Sequence, residues 1–355
     1  MRVILTIREI DERENWNARL RDLPYAHALQ TWEWGEFKRA SGPWTPLRLA
    51  FERGGRVLAM ASLLTRSMGP LKVMYVSKGP VLDYSDTDLA AQVLGELEAR
   101  AKRFGVVWLK TDPDVIAATG LPKSADDQSH ELGRAVVGLL RNRGWRFSDS
   151  QVQFRNTLSI DLSRSEDEIL AAMSGNTRRK IRVAAKKGVV MRTAAVDDLP
   201  LLYRLYKITG ERDGFLIRPF DYYRLAWEQF MLAGLAQAFI AEYQGAAIAH
   251  VILFHFGRKC WYFYGASSNE ERARMPNYAL QWAAIRWAKA QGYATYDMWG
   301  APDAFDESDS LWGVYQFKRG FRGQLTRHIG AWDFVSHPTM YYIYQQAAPK
   351  LMGAI

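Results

Sequence analysis

The sequence predicts a mixed α/β (α+β) protein made of two tandem units, and three observations lead there. An order of elements recurs. The first half holds FERGGRVLAMASLLTR (Phe51–Arg66), VMYVSKGPVLD (Val73–Asp83), a helical pattern over Asp86–Phe104, then Gly105 and VVWLKTDPD (Val106–Asp114). The second half holds AEYQGAAIAHVILFHF (Ala241–Phe256), KCWYFYGAS (Lys259–Ser267), a helical pattern over Asn277–Ala290, then Gly292 and YATYDMWGAPD (Tyr293–Asp303). Landmarks keep the same spacing: Gly55 and Gly245 lie 190 apart, Gly105 and Gly292 lie 187 apart. That exceeds the ~20–50 residue period of solenoids. Finally, 355 residues with 48% hydrophobic and 24% charged side chains suit two globular domains of ~150 residues each.

Each element has a local reason. The strands read as apolar runs joined by Gly turns, Arg53–Gly55 in the first half and Gln244–Gly245 in the second. Over Asp86–Phe104, Leu89, Val93 and Leu97 recur every fourth residue and mark one helix face. Both long helices end at a glycine with Lys or Arg in the last turn. A composition shift near Arg141–Gln153 precedes a new strand, NTLSIDL (Asn156–Leu162). The expected division is 1–150 plus 325–355 for the first domain and 151–324 for the second. The tail supplies strand-like RHIGAWDFV and a last helix over Pro338–Leu351.

Several function classes are excluded or disfavoured. The single cysteine, Cys260, forms no internal disulfide and argues for a reducing compartment, and it leaves no thiolate set for zinc. The six histidines are scattered and show no metal spacing. No GxxxxGK[ST], GxSxG or HExxH occurs. The charged N-terminus is not a signal peptide, and no run reaches the ~18–20 apolar residues of a membrane span. A cytoplasmic, soluble, metal-free monomer is expected, with room for peripheral contact with a membrane surface. Lys and Arg outnumber Asp and Glu by 47 to 38, a formal charge of +9 compatible with phosphate-bearing partners.

Four segments carry candidate chemistry. NTRRKIRVAAKKG (Asn176–Gly188) reads as a basic helix capped by Asn176, with Arg178, Arg179, Lys180, Arg182, Lys186 and Lys187 around a stripe of Ile181, Ala184 and Ala185. Such a face binds phosphates, and a solvated helix surface explains the same charges. In YKITGERDGFLIRPFDYY (Tyr206–Tyr223), Arg218 precedes Pro219 and is expected to be extended, with a helix from Phe220 that places Tyr222 near it. QTWEWGEFKR (Gln30–Arg39) sets Lys38 one helical turn from Trp34. GVYQFKRGFRG (Gly313–Gly323) reads as a glycine-punctuated basic loop.

Together these pieces resemble the Fem-type (FemABX) aminoacyl-tRNA-dependent transferases that build peptidoglycan cross-bridges, most closely the compact FemX form. The carriers are YVSKGPVLD, TRRKIRVAAKKGV, ERDGFLIRPFDYY, KCWYFYGAS, the Asn277–Tyr293 helix, YDMWG and YQFKRGFRG, in order over nearly the whole chain. The resemblance implies two GNAT-like acyltransferase domains. No stretch here has the length and heptads of the coiled-coil arm some members carry. It implies a non-ribosomal aminoacyltransferase that moves an amino acid from aminoacyl-tRNA to an amine of the peptidoglycan stem peptide, on UDP-MurNAc-pentapeptide or lipid II, without a cofactor. Residue by residue, Lys38 and Arg218 match the diphosphate-binding pair, and Tyr222 and Tyr264 match aromatics of the acceptor pocket. Phe317–Lys318 matches the Phe–Lys pair at the donor channel. The sequence departs at Leu216, which aligns with a polar residue of FemX.

On this reading Lys318 stabilises the oxyanion, no dedicated protein base acts, and Asp112 and Asp297 are the fallback bases. The basic helix Arg178, Arg179, Lys180, Arg182 and Lys186 serves the tRNA body. Two alternatives stay open: an acyl-CoA- or acyl-carrier-dependent N-acyltransferase on the same fold, and a non-catalytic RNA- or nucleotide-binding protein. Neither DYSDTDLAAQ nor SSNEERARMPNYALQ carries the glycines of a coenzyme A pyrophosphate loop.

Overall fold

The computed structural model describes residues 5–69 and 71–352. The chain divides into two compact units, Met1–Arg155 with Arg327–Ile355, and Asn156–Thr326.

The first unit contains β1 (Thr6–Glu9), α1 (Arg13–Arg21), α2 (Trp32–Ser41), β2 (Thr45–Arg53), β3 (Arg56–Met68), β4 (Leu71–Val76) and β5 (Val81–Leu82). It continues with α3 (Thr87–Arg103), β6 (Trp108–Thr111), β7 (Ile116–Thr119), β8 (Gln128–Ser129), α4 (Glu131–Asn142) and β9 (Arg146–Phe147). The second unit contains β10 (Asn156–Asp161), α5 (Glu166–Ala172), α6 (Gly175–Lys186), β11 (Val190–Thr193), α7 (Leu199–Asp213) and α8 (Phe220–Leu232). Then follow β12 (Ala236–Tyr243), β13 (Ala246–Phe256), β14 (Lys259–Ser267), α9 (Pro276–Ala290), β15 (Thr295–Asp297), α10 (Trp312–Arg319) and β16 (Gln324–His328). The chain re-enters the first unit, which β17 (Trp332–Val335) and α11 (Pro338–Met352) complete.

In the first unit the sheet order is β1-β2-β3-β4-β6-β17-β9, with β5 paired to β3. In the second the strands run β11-β12-β13-β14-β15-β10-β16. The repeat read from the sequence is a repeat of topology. β2, β3 and β4 are antiparallel neighbours, α3 crosses over, and β6 joins β4 in parallel. β12, β13, β14, α9 and β15 do the same. A parallel pair needs such a crossover, because a hairpin cannot reverse the chain twice. The turn chemistry also repeats. Gly54 and Gly55 have φ of 58° and 79°, and Gln244 and Gly245 have 51° and 79°. Two consecutive positive φ values match the right-handed twist of the flanking strands, and glycine adopts them without strain.

Leu89, Val93 and Leu97 are buried against the sheet with Leu49, Phe51 and Leu63. Leu280, Ala284, Ile285 and Ala288 play the same part in the second unit. Each fully buried Leu or Val contributes about 1.5–3 kcal/mol.

Two expectations need correction. The Gly313–Gly323 segment is not a loop: Trp312–Arg319 is the helix α10. Gly313 sits in its first turn and Gly320 caps its end, so neither interrupts it. A Cβ on Gly320 would collide with Thr177 Oγ1. The basic helix is capped by Ser174, not Asn176: Ser174 Oγ accepts from Thr177 N at 3.1 Å. With its cap set earlier in the chain, the helix buries Thr177 and Ala184 and leaves Ala185 exposed.

Candidate active site

Lys318 is the most chemically distinctive residue of the second unit. It lies in the last turn of α10 and is 5% exposed. Its ammonium donates to the carbonyl oxygens of Trp299 and Gly300, the latter at 2.8 Å. The sequence YDMWG builds this cradle. Asp297 ends β15, accepts from Thr157 Oγ1 at 2.5 Å, and accepts from Trp299 N at 2.8 Å. Trp299 and Gly300 then both take positive φ, 50° and 64°, which presents two successive carbonyls to one lysine. Trp299 is further held by stacking on Phe263 at 4.6 Å, which in turn stacks on Phe254 at 4.7 Å. Burial pulls the Lys318 pKa down to about 7, and Asp297 opposes that fall. An ammonium has three donors, and the cradle takes two.

Phe317 is half-buried between Tyr278, at 5.0 Å between ring centroids, and Phe321, at 5.4 Å. A polar cavity of about 200 Å³ adjoins it, lined among others by Ser174, Thr177, Tyr278, Arg319 and Arg322. Phe317 thus meets the cavity while Lys318, one residue on, points to the β15 end.

Arg218, Tyr222 and Tyr264 come together in the second unit. The Arg218 guanidinium lies 4.8 Å from the Tyr222 ring centroid. Tyr222 packs edge-on against Tyr223 at 5.5 Å, and Tyr223 packs edge-on against Tyr264 at 6.0 Å. Tyr206 and Trp227 complete the wall, 5.8 and 5.4 Å from Tyr264. The extended Ile217–Pro219 stretch between α7 and α8 lacks helical backbone bonds, so side chains supply them. Tyr203 OH donates to Arg218 O at 3.1 Å, and Arg218 N donates to Tyr223 OH at 3.3 Å. Strand β14 carries both groups: Tyr264 joins the aromatic wall, and the Tyr262 ring lies 5.5 Å from Lys318 Nζ. A register shift at Phe263 lets that ring turn aside to stack on Trp299.

In the first unit, Lys38 Nζ lies 4.6 Å from the Trp34 ring centroid and 5.0 Å from that of Phe37. Trp34 Nε1 donates to Ser77 Oγ at 3.2 Å, tying α2 to the YVSKGP segment. That segment leads to a buried charged group. Asp112 accepts from Tyr75 OH and Lys78 N, each at 2.6 Å, and burial pushes its carboxyl pKa up. Lys78 Nζ lies 3.9 Å from Asp114 Oδ1, which lies 3.2 Å from His328 Nε2. Both oxygens of Asp112 thus accept from a hydroxyl or backbone donor, whereas at Asp297 the two donors share Oδ1.

The basic helix divides in two. Arg178 donates to the carbonyls of Ala171 and Met173 at 2.6 and 2.5 Å, finishing the end of α5. Lys180 donates to Tyr278 OH at 2.9 Å. Arg179, Arg182, Lys186 and Lys187 are exposed. Among the histidines, His250 is buried against the Leu202 carbonyl and its pKa is pulled down to about 4. Among the described residues no cluster of His, Cys, Asp or Glu is suited to a metal ion, and no helix is long and apolar enough to cross a membrane.

Sequence reasoning missed the Trp299–Gly300 cradle, Tyr262 and the two tyrosines that hold Arg218. YDMWG and the Tyr-rich 203–223 stretch carried the signal, but the positive φ of a tryptophan has no marker in composition.

The FemAB family model matches residues 12–233 and 232–349. The lipid II:glycine glycyltransferase of Staphylococcus aureus (strain USA300) is 26% identical over 401 aligned positions, covering 93% of each chain. That of Staphylococcus haemolyticus (strain JCSC1435) is 26% identical over 399, with the same coverage. The crystal structure of FemX superposes with a TM-score of 0.84 at 24% identity, over 95% of this chain and 99% of its own. A tandem GNAT protein from the clavulanic acid biosynthesis pathway gives 0.53 at 13% identity, over 94% and 98%. These likenesses agree with the duplicated mixed sheets, and with the family model spanning most of the sequence they establish that the chain belongs to the FemAB family and is a transferase.

Proposed function

We propose that the protein is an aminoacyltransferase that moves an amino acid from aminoacyl-tRNA to an amine of the peptidoglycan stem peptide, with lipid II as the acceptor its relatives' names favour. The observation that carries this reading is the carbonyl-cradled Lys318, linked through β14 to the Arg218–Tyr222–Tyr264 group. A neutral stem-peptide amine attacks the ester carbonyl, and the nitrogen of the tetrahedral adduct loses a proton to water or substrate. The oxyanion collapses, the C–O bond to ribose breaks, and the ribose oxygen takes a proton from Lys318 or water. The ester is already activated, so positioning supplies much of the acceleration. Lys318 has one donor left for the oxyanion or the leaving oxygen, and a pKa of about 7 suits a group that gives up a proton near neutrality. Arg218 holds the acceptor diphosphate, and the family resemblance assigns Lys38 to acceptor binding as well. Tyr222 and Tyr264 line its sugar and peptide, and Phe317 stacks at the donor end. Arg179, Arg182 and Lys186 face the tRNA body.

An acyl-coenzyme A donor fits less well. Asp86 caps α3 by accepting from Leu89 N at 2.9 Å, and Asp88 adds a second carboxylate in that turn. At α9 the first residue is Pro276, which has no N–H for a phosphate. Incubation with a pool of charged tRNAs, acetyl-coenzyme A, and both lipid-linked and nucleotide-linked acceptors, followed by mass measurement of the products, tests the proposal. Acetylated product without aminoacylated product would overturn it.

A further inference from the structure

The turn between α7 and α8 exposes leucine completely while being held firmly at both ends. Gly214, at φ 74°, closes α7, and Gly214 N and Phe215 N both donate to Gly210 O, at 2.9 and 3.1 Å. The Phe215 ring packs on Tyr206 at 5.6 Å. Ile217 lies against Gly210, where a Cβ would come within 2.9 Å of Ile217 Cγ2. Arg218 is pinned through its backbone by Tyr203 and Tyr223. Between these anchors Leu216 has a relative exposure of 101%, and Phe215 retains 40%. The fixed backbone thus holds two adjacent apolar side chains, Phe215 and Leu216, toward the solvent.

The place of the turn identifies what this pair meets. Leu216 is two residues from Arg218, so at most ~7 Å of extended chain separates them. In a lipid-linked acceptor the diphosphate is bonded directly to the prenyl chain. A residue that grips this diphosphate therefore works at the headgroup level of the bilayer, and an apolar side chain a few ångströms away reaches the acyl boundary. In a nucleotide-linked acceptor the same diphosphate is followed by a polar nucleoside, which gives a leucine nothing to bury against. Glu211, Asp213 and Asp221 flank the turn along with Arg212 and Arg218, so its insertion rests on the apolar pair and the diphosphate and not on charge.

We infer that the Phe215–Leu216 turn inserts into the bilayer surface beside the prenyl diphosphate, and so selects the lipid-linked acceptor. This rests on the reading in which Arg218 holds the diphosphate.

The test compares the wild type, Leu216→Asp, Leu216→Phe and Arg218→Met on two acceptors. One is the full-length lipid-linked precursor in phosphatidylcholine–phosphatidylglycerol vesicles. The other is the same precursor with a short prenyl chain that stays in solution. Leu216→Asp should raise the KM for the vesicle-borne acceptor at least about tenfold, leave the soluble acceptor within about twofold, and reduce co-sedimentation with acceptor-bearing vesicles. Leu216→Phe should keep wild-type behaviour. Arg218→Met should raise KM for both acceptors. If Leu216→Asp leaves the vesicle-borne acceptor unaffected, or weakens both acceptors equally, the inference fails while the Arg218 reading stands. If Arg218→Met changes neither acceptor, the underlying reading fails. A dimer in vesicle-free solution that Leu216→Asp dissociates would make the turn a subunit contact and overturn the inference.

Discussion

The Lys318 ammonium nitrogen lies 2.8 Å from the Gly300 carbonyl oxygen, and the Trp299 carbonyl accepts from the same nitrogen. A buried lysine held this way is a positioned charge rather than a mobile one, because a helix and a strained turn fix both its stem and its head. Lys318→Met should therefore lower kcat and kcat/KM together by about 100-fold or more, the pattern of an interaction made in the transition state. Lys318→Arg should recover only part of that loss, since a planar guanidinium does not fit two converging carbonyls. Normal turnover with a raised tRNA KM in Lys318→Met would move the residue to donor binding.

The same burial makes a pH prediction. The folded pKa of about 7 lies below the ordinary lysine value of 10.5. Below pH 7 both folded and unfolded states hold the proton. Between about 7 and 10.5 only the unfolded state does, so this group makes stability rise with pH, by at most about 1.4 kcal/mol per pH unit. Denaturant titrations from pH 6 to 9 should show wild type gaining on Lys318→Met as pH increases. Parallel curves would mean the cradle keeps the lysine charged throughout.

Acceptor binding should depend on Lys38, Arg218 and the tyrosine that steadies Arg218. Lys38→Met and Arg218→Met each remove a charge-assisted hydrogen bond worth roughly 1.5–3 kcal/mol and should raise the acceptor KM at least about tenfold. Tyr203→Phe removes only the hydroxyl bonded to the Arg218 carbonyl, worth about 0.5–1.5 kcal/mol. It should raise acceptor KM by roughly two- to tenfold at unchanged kcat. A Tyr203→Phe enzyme with unaltered acceptor saturation would show that the turn holds its shape without that bond.

The basic helix should separate into two behaviours. Replacing Arg179, Arg182 and Lys186 by Gln should weaken tRNA binding and flatten its salt dependence, by about 0.7–0.9 in slope for each phosphate the helix no longer neutralises. Arg178→Gln should instead lower the melting temperature, because it strips a partner from the Ala171 and Met173 carbonyls. Equal salt slopes before and after the triple substitution would reduce the exposed face to solvation.

Periodicity and turn chemistry make much of the fold legible. The Leu89–Val93–Leu97 face and the paired Gly55 and Gly245 turns need nothing beyond spacing and glycine's freedom at positive φ. The Arg218–Tyr222 pair is equally local, since Pro219 forces the extended entry into α8. Resemblance picks out Lys318, while the glycines around it misstate its local structure. Glycines at 313 and 320 read as loop markers, whereas the helix tolerates them at its two ends. The cradle itself joins a turn at Trp299 to a helix 19 residues later, a pairing that no local pattern records. Asp297 reads as a fallback base, and the structure adds that its Oδ1 accepts from both Thr157 and Trp299, a pairing no local pattern records.

The chain leaves the first unit after Arg155 and returns to it at Arg327, and β17 then takes its place between β6 and β9. On the ribosome this fixes an order of completion. The second unit is one unbroken stretch and can finish as it emerges. The first must wait, with the edges of β6 and β9 open, until Trp332–Val335 has been made. From Arg155 to Val335 is 180 residues, roughly 10–35 s at ~5–20 residues per second. The half of the protein translated first is thus the last to close, and a released chain ending at Thr326 should resist protease over Asn156–Thr326 while the preceding residues are cut.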